Sequence, residues 1–276
     1  MSSNMNAEQA LERRAEQEQA NAAGGKVNIL DEIRRMEPEY QAAMPKGAEA
    51  AQLVRDAITL VKTSPRLFQC ERVSVLSGLM TIAQLNLRVA VLGQAWLLPI
   101  RNKGTLYAQL VIGYQGYIEL AMRSPNVAGI VARTAYENDL FDVQLGTDDR
   151  IIHKPVLDGD RGNPVAYYAV VKYANGGYTF VWMTRAEMER HRDRFALAKR
   201  DNKVVGPWRD NFDAMSEKTV VRQLSKYMPK STALGNALAA DGSVRLDLDP
   251  ETSPAEAAQF IDGEIVADEN HSEAAA

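Results

Sequence analysis

Residues 165–183 read VAYYAVVKYANGGYTFVWM. Two runs of β-branched and aromatic residues, Val165–Tyr173 and Tyr178–Met183, flank Asn175-Gly176-Gly177. This pattern predicts an antiparallel hairpin, because Asn and Gly tolerate the left-handed backbone of a tight reversal. With a period of two, Tyr178, Phe180 and Trp182 share one face. Such an aromatic stripe predicts packed core rather than a platform for stacking bases. A second hairpin is predicted upstream, where Ala95–Ile100 and Thr105–Ile112 flank Asn102-Lys103-Gly104. Further strands are expected over 129–137 and 141–145.

Outward from the hairpins the pattern turns helical. Thr184 and Glu187 make a T-x-x-E capping box that opens a helix to about Arg200. Pro207 suits the first turn of a last long helix, running to about Met228 and stopped by Pro229. Helical patterns cover 28–44 and 48–62, parted by Pro45 and Gly47, and Pro65 ends the second. Residues 72–85 read as a buried helix, Tyr114–Arg123 as another, and 232–240 as a short one. The fold class is therefore α+β: a small antiparallel sheet or hairpins packed with helices. Residues 1–27 read as a disordered segment, 28–245 as the core, and 246–276 as an acidic flexible tail.

The 276 residues carry 32 Lys+Arg and 36 Asp+Glu, with 46% hydrophobic residues. That is ordinary soluble composition, and no stretch approaches the ~20 apolar residues of a membrane span. Cys70 is the only cysteine, which excludes intrachain disulfides and CxxC motifs and points to a reducing, cytoplasmic compartment. The formal charge of −4 conceals an asymmetry: residues 246–276 hold 9 acidic residues and no Lys or Arg, whereas residues 51–245 sum to +8. A basic body with an acidic tail favours a nucleic-acid partner.

Catalytic signatures are missing. There is no G-x-x-x-x-G-K-[ST], no G-x-S-x-G and no H-E-x-x-H, and His153, His191 and His271 are scattered. Asp139, Asp142, Asp148 and Asp149 cluster between strand patterns. A metal-dependent nuclease built on Asp139 and Asp142 is the enzymatic alternative, although a solvated turn describes the cluster better. No motif calls for a cofactor, and Mg²⁺ enters only as a modulator. A purely structural assembly protein is a third reading.

The last helix carries the sharpest pattern. At ~100° per residue, Lys218, Arg222 and Lys226 project within an arc of about 80°, while Asp210, Asp213 and Glu217 fall on the far side with Val220, Leu224 and Tyr227. A solvated helix face ordinarily mixes signs, and this one segregates them. Arg185, Arg192 and Lys199 recur every seven residues on the preceding helix. A row of cations at ~6 Å steps suits a sugar–phosphate backbone, whose adjacent charges it can meet while releasing counterions.

At these residues the chain resembles the RecT family of phage and prophage single-strand annealing proteins, and more distantly the Red-beta proteins. The segments that carry the resemblance are LGQAWLLPI (92–100), QLVIGYQGYIELAMRS (109–124), IIHKP (151–155), VWMTRAEMER (181–190) and GPW…MSEKTVVRQLSKYMP (206–229). It implies ATP-independent binding of single-stranded DNA and annealing of complementary strands through a duplex intermediate. It also implies a homo-oligomer, ring or helical filament, working with a phage 5′→3′ exonuclease and a host single-strand-binding protein. The DNA backbone is expected in a basic groove lined by Lys218, Arg222 and Lys226. Arg101, Lys103, Tyr114, Arg185 and Trp208 are further DNA-binding candidates. Where relatives carry Arg in the GY-x-G stretch this chain has Gln115, so no phosphate contact is assigned there.

Overall fold

The computed structural model describes residues 28–196, 199–200, 203–204, 207–229, 231–261 and 263–266. The segment 1–27 and the end of the expected tail, 267–276, lie outside them. Helices α1 (Ile29–Arg35), α2 (Glu37–Ala43) and α3 (Ala50–Thr63) surround α4 (Arg72–Leu85). Helix α4 starts where the Glu71 carboxylate accepts from Ser74 N, and stops at Asn86 in the left-handed region. It is buried on every side, which is why its sequence lacks an amphipathic stripe. Its polar residues are satisfied: Ser74 Oγ accepts from Ala108 N at 2.9 Å, and Ser77 Oγ donates to the Arg245 carbonyl. Burying Leu79, Met80 and Ile82 there contributes about 1.5–3 kcal/mol each.

Strands β1 (Ala95–Asn102) and β2 (Thr105–Ile112) form the first hairpin, closed by Lys103 and Gly104 at φ +45° and +89°. These positive angles make the tight two-residue turn that the Lys-Gly pair permits. Helix α5 (Tyr114–Met122) follows directly. The second sheet joins β3 (Val127–Tyr136), β6 (Pro164–Tyr173) and β7 (Tyr178–Thr184) in the order β3-β6-β7, all antiparallel. Strands β4 (Leu140–Gln144) and β5 (Arg150–Lys154) make a separate hairpin. The IIHK run had carried no strand expectation.

The register places Tyr168, Val170 and Lys172 opposite Trp182, Phe180 and Tyr178. That face is turned away from the helices, and the core is met instead by Tyr167, Ala169, Val171, Val181 and Met183. The aromatic stripe is thus an outer face, with Tyr178 45% exposed, and the expectation of core is corrected. Periodicity fixes which residues share a face but not which face the helices cover. The β4–β5 hairpin lies across part of it: Phe141 packs on Tyr168 at 5.5 Å, and Tyr178 Oη donates to the Asp149 carbonyl at 2.8 Å.

Helix α6 (Arg185–Phe195) begins with the expected Thr184–Glu187 capping box but ends before Ala196. Lys199 sits in the short β8 (Lys199–Arg200), paired with β9 (Lys203–Val204), so the seven-residue row does not extend to it. The last long helix is two: α7 (Pro207–Asp210) and α8 (Phe212–Leu224), broken at Asn211 (φ −137°, ψ 56°). Lys226 therefore lies in the turn after α8. Helix α9 (Thr232–Ala240) follows, with Ser231 Oγ capping Leu234 N.

Beyond α9 the chain is laid onto the first hairpin. Val244 and Gln259 exchange both backbone hydrogen bonds, and β10 (Glu264–Ile265) pairs with β1. Arg245 is buried, donating to Gln84 Oε1 and to the carbonyls of Asp247 and Asp249. Its acceptors come from the acidic stretch, of which Leu248, Ala257 and Val266 pack on the fold, so the chain does not leave it at Leu246. Among the described residues no helix is long and apolar enough to cross a membrane.

Candidate nucleic-acid interface

Helix α8 lies on the inner face of the β3-β6-β7 sheet. Ser216, Thr219, Val220 and Leu224 are buried there, and Glu217 accepts from Thr134 Oγ1 at 2.9 Å. This orientation leaves Lys218, Arg222 and the following turn on the far side, toward α5 and α9.

The three cations differ in setting. Arg222 is half exposed, yet its Nη2 lies 3.3 Å from Asp241 Oδ2, and the Asp241 side chain is only 6% exposed. The ladder is thus not free of carboxylates, because one arrives from the end of α9. Lys218 is partly buried. Burial lowers its pKa, with Asp241 opposing that shift and Arg222 reinforcing it. Lys226 is exposed and donates to Gln223 Oε1 at 2.8 Å, a neutral partner. Asp241 also accepts from Ile112 N at 2.9 Å and from Tyr117 Oη at 2.8 Å. Burial, with the adjacent Asp241 charge, pushes the Tyr117 phenol far above its ordinary range, so it remains a donor.

Helix α6 borders the same region. His191 is depressed by burial and then by the positive charges of Arg222 and Lys226. Its ring lies 6.2 Å from Trp208 and 4.7 Å from Phe195. Trp208 also meets Phe212 edge-on at 5.6 Å, so it anchors α7 to α8 within an aromatic cluster. Arg185 is held by Glu189 at 3.1 Å and lies over the Phe212 ring at 4.8 Å, with Asp213 at 3.9 Å. Arg192 shares that ring at 5.5 Å. Arg185 and Trp208 therefore join α6, α7 and α8 into one body.

The remaining candidates stand elsewhere. Tyr114 opens α5, partly buried beside Leu92 and Gly93 in a shallow cleft that Gln115 also lines. Arg101 and Lys103 are exposed at the tip of the first hairpin. Thr105, which follows the turn, is separated from Ile112 by about 24 Å of strand at ~3.4 Å per residue. The structure does not bring Arg101 and Lys103 together with the α8 cations.

The acidic cluster proves to be two things. Asp142, Asp148 and Asp149 are exposed, but the Asp139 side chain is enclosed. Asp139 accepts from Arg161 Nε and Nη2, from the backbone of Tyr136 and Val156, and bonds His153 Nε2 at 2.9 Å. Tyr168 Oη bonds the other ring nitrogen at 2.9 Å. Arg161, with His153 and the two backbone donors, holds the Asp139 carboxyl well below the usual carboxylate range. Five donors occupy the roughly four lone-pair positions of a carboxylate, leaving none directed at a divalent ion. Among the described residues no three His, Cys, Asp or Glu are grouped to hold a metal. Asp139 is a buried structural node rather than a solvated turn.

Sequence reasoning missed Asp241, Tyr117 and this node. Asp241 did carry a signal, because an acid at a helix C-terminus opposes the helix dipole and calls for compensating cations.

Residues 51–256 match the model of the RecT family. The chain is 37% identical over 224 residues to Protein RecT of Escherichia coli (strain K12), covering 79% of this chain and 81% of that protein. It is 29% identical over 220 residues to the uncharacterized protein YqaK of Bacillus subtilis (strain 168), covering 79% of this chain and 73% of that one.

Proposed function

The chain belongs to the RecT family, and from that premise we propose that it binds single-stranded DNA and anneals complementary strands in recombination without ATP. The observation that carries this reading is the position of Arg222 and Lys226, solvent-facing on a segment inside the family match. Annealing is downhill, since each stacked base-pair step returns ~1.4 kcal/mol. Its barriers are folding within each strand and repulsion between two phosphate chains. Cations that grip the backbone and leave base edges exposed lower both. Lys218 adds charge from a more enclosed position. Arg185 and Trp208 hold the supporting helices, and Tyr114 helps seat α5.

In this reading protomers assemble into a ring or filament around a basic groove, so that weak sites combine through effective concentration. A 5′→3′ exonuclease supplies the single strand, a host single-strand-binding protein competes for it, and the work takes place in the cytoplasm. Mg²⁺ modulates the annealed complex and is not a catalytic cofactor. The test mixes two complementary labelled oligonucleotides with the protein, without nucleotide triphosphate. Faster fluorescence quenching than in protein-free buffer supports the reading. An unchanged rate, with strands left unbound, favours an assembly protein, and strand cleavage in Mg²⁺ or Mn²⁺ favours a nuclease.

A further inference from the structure

We infer that Asp241 is a positioning residue for the single-strand site: a pinned carboxylate at the end of α9 that aims the Arg222 guanidinium at the DNA backbone. The inference rests on the annealing reading above. Two hydrogen bonds and an ion pair hold the carboxylate: Ile112 N donates to one oxygen, Tyr117 Oη to the other, and Arg222 Nη2 lies 3.3 Å from that second oxygen. Two of these belong to elements outside α8, so the carboxylate keeps its place if Arg222 moves. Its 6% exposure leaves no route for a phosphate to displace it. Arg222 is 50% exposed. One nitrogen of its planar fork is therefore drawn inward by the carboxylate charge, and its other N–H groups remain for an oxyanion outside. An arginine already drawn to a fixed carboxylate loses less freedom on meeting a phosphate than one free to rotate. The same arrangement ties the site to the VIGYQG segment, because Ile112 is its second residue and Tyr117 follows its last.

Two roles for Asp241 predict opposite signs. A carboxylate that merely sits nearby repels DNA, so neutralising it tightens binding. A carboxylate that aims Arg222 supports binding, so neutralising it weakens binding although the net charge becomes more positive.

The experiment titrates a labelled unstructured oligonucleotide with the full chain, comparing wild type, Asp241→Asn, Arg222→Ala and the double variant, with Tm recorded for each. We expect Asp241→Asn to raise Kd roughly tenfold. It should do little further in the Arg222→Ala background, because it acts through that side chain. Tighter or unchanged binding by Asp241→Asn overturns the inference, and so do fully additive losses. Where Arg222→Ala itself binds at wild-type strength, the assignment of the DNA site fails, a result distinct from failure of Asp241 alone. Should Asp241→Asn not fold, Tyr117→Phe removes only one of the pinning donors. A Kd raised a few-fold at nearly native Tm then supports positioning, and an unchanged Kd overturns it.

Discussion

Gly116 in α5 lies so close to the Gln94 carbonyl that a β-carbon on it would stand 2.3 Å from that oxygen. Gly113 is tighter still, 1.9 Å from the Gly93 carbonyl by the same measure, and its N–H donates to Gln94 O at 2.9 Å. The two segments LGQ and VIGYQG therefore meet backbone to backbone, and both glycines are required by the crossing. In an exposed helix Gly→Ala ordinarily stabilises by ~1 kcal/mol. Here the sign reverses. Gly116→Ala should destabilise the fold by about 1–3 kcal/mol, since the neighbour is main chain and cannot swing aside. Urea denaturation measures it, and a variant as stable as wild type would refute the crossing.

The bounds of α4 and α9 agree with the helical patterns read over 72–85 and 232–240. The two hairpins were legible from their Asn and Gly turns. The break at Asn211 was not, since neither Pro nor Gly marks it and Phe212, packed among Trp208, Tyr167 and Arg185, fixes the new helix direction. Nor was the pairing of Arg222 with Asp241, because the helix wheel compares only residues on one helix. Of the expected arc, Lys218 and Arg222 stand on α8, and Lys226 falls in the turn beyond it. The carboxylate that completes it comes from another element.

Asp139 makes acid stability testable. Its pKa is lowered in the fold, chiefly by Arg161, so its contribution to stability is fully present above the ordinary aspartate range of ~3.9 and is lost as pH falls below it. Asp139→Asn should thus lower Tm clearly at pH 7 and progressively less toward pH 3, where the carboxyl of the unfolded chain takes up its proton while that of the fold stays ionised. Thermal melts of both proteins across that window check it. A gap in Tm that is constant with pH would mean that the ion pair contributes nothing through its charge.

Lys218 separates stability from binding. Its ammonium is depressed by burial, so the fold bears the cost of keeping a cation out of water. Lys218→Met keeps the aliphatic stem and removes the charge. We expect Tm to stay level or rise while affinity for single strands falls several-fold. Parallel melts and titrations decide. Loss of stability together with binding would make Lys218 a structural partner of Asp241 instead.

The salt dependence of binding counts phosphates at the site. With ~4 phosphates neutralised per protomer and ~0.7 counterion released for each, log K should fall with log[salt] at a slope near −3. Removing one contact by Arg222→Ala or Lys226→Ala should flatten that slope to about −2 and weaken all sequences alike. Lys226 offers the cleaner measurement, because its partner Gln223 is neutral and exposed ion-pair losses do not arise. Arg101→Ala and Lys103→Ala report on the far end of the first hairpin, more than 20 Å of strand away, so any effect there should add to that of Lys226. Slopes unaltered by Arg222→Ala and by Lys226→Ala, with folded protein, would remove the DNA backbone from α8 and the turn after it, and with it the mechanism.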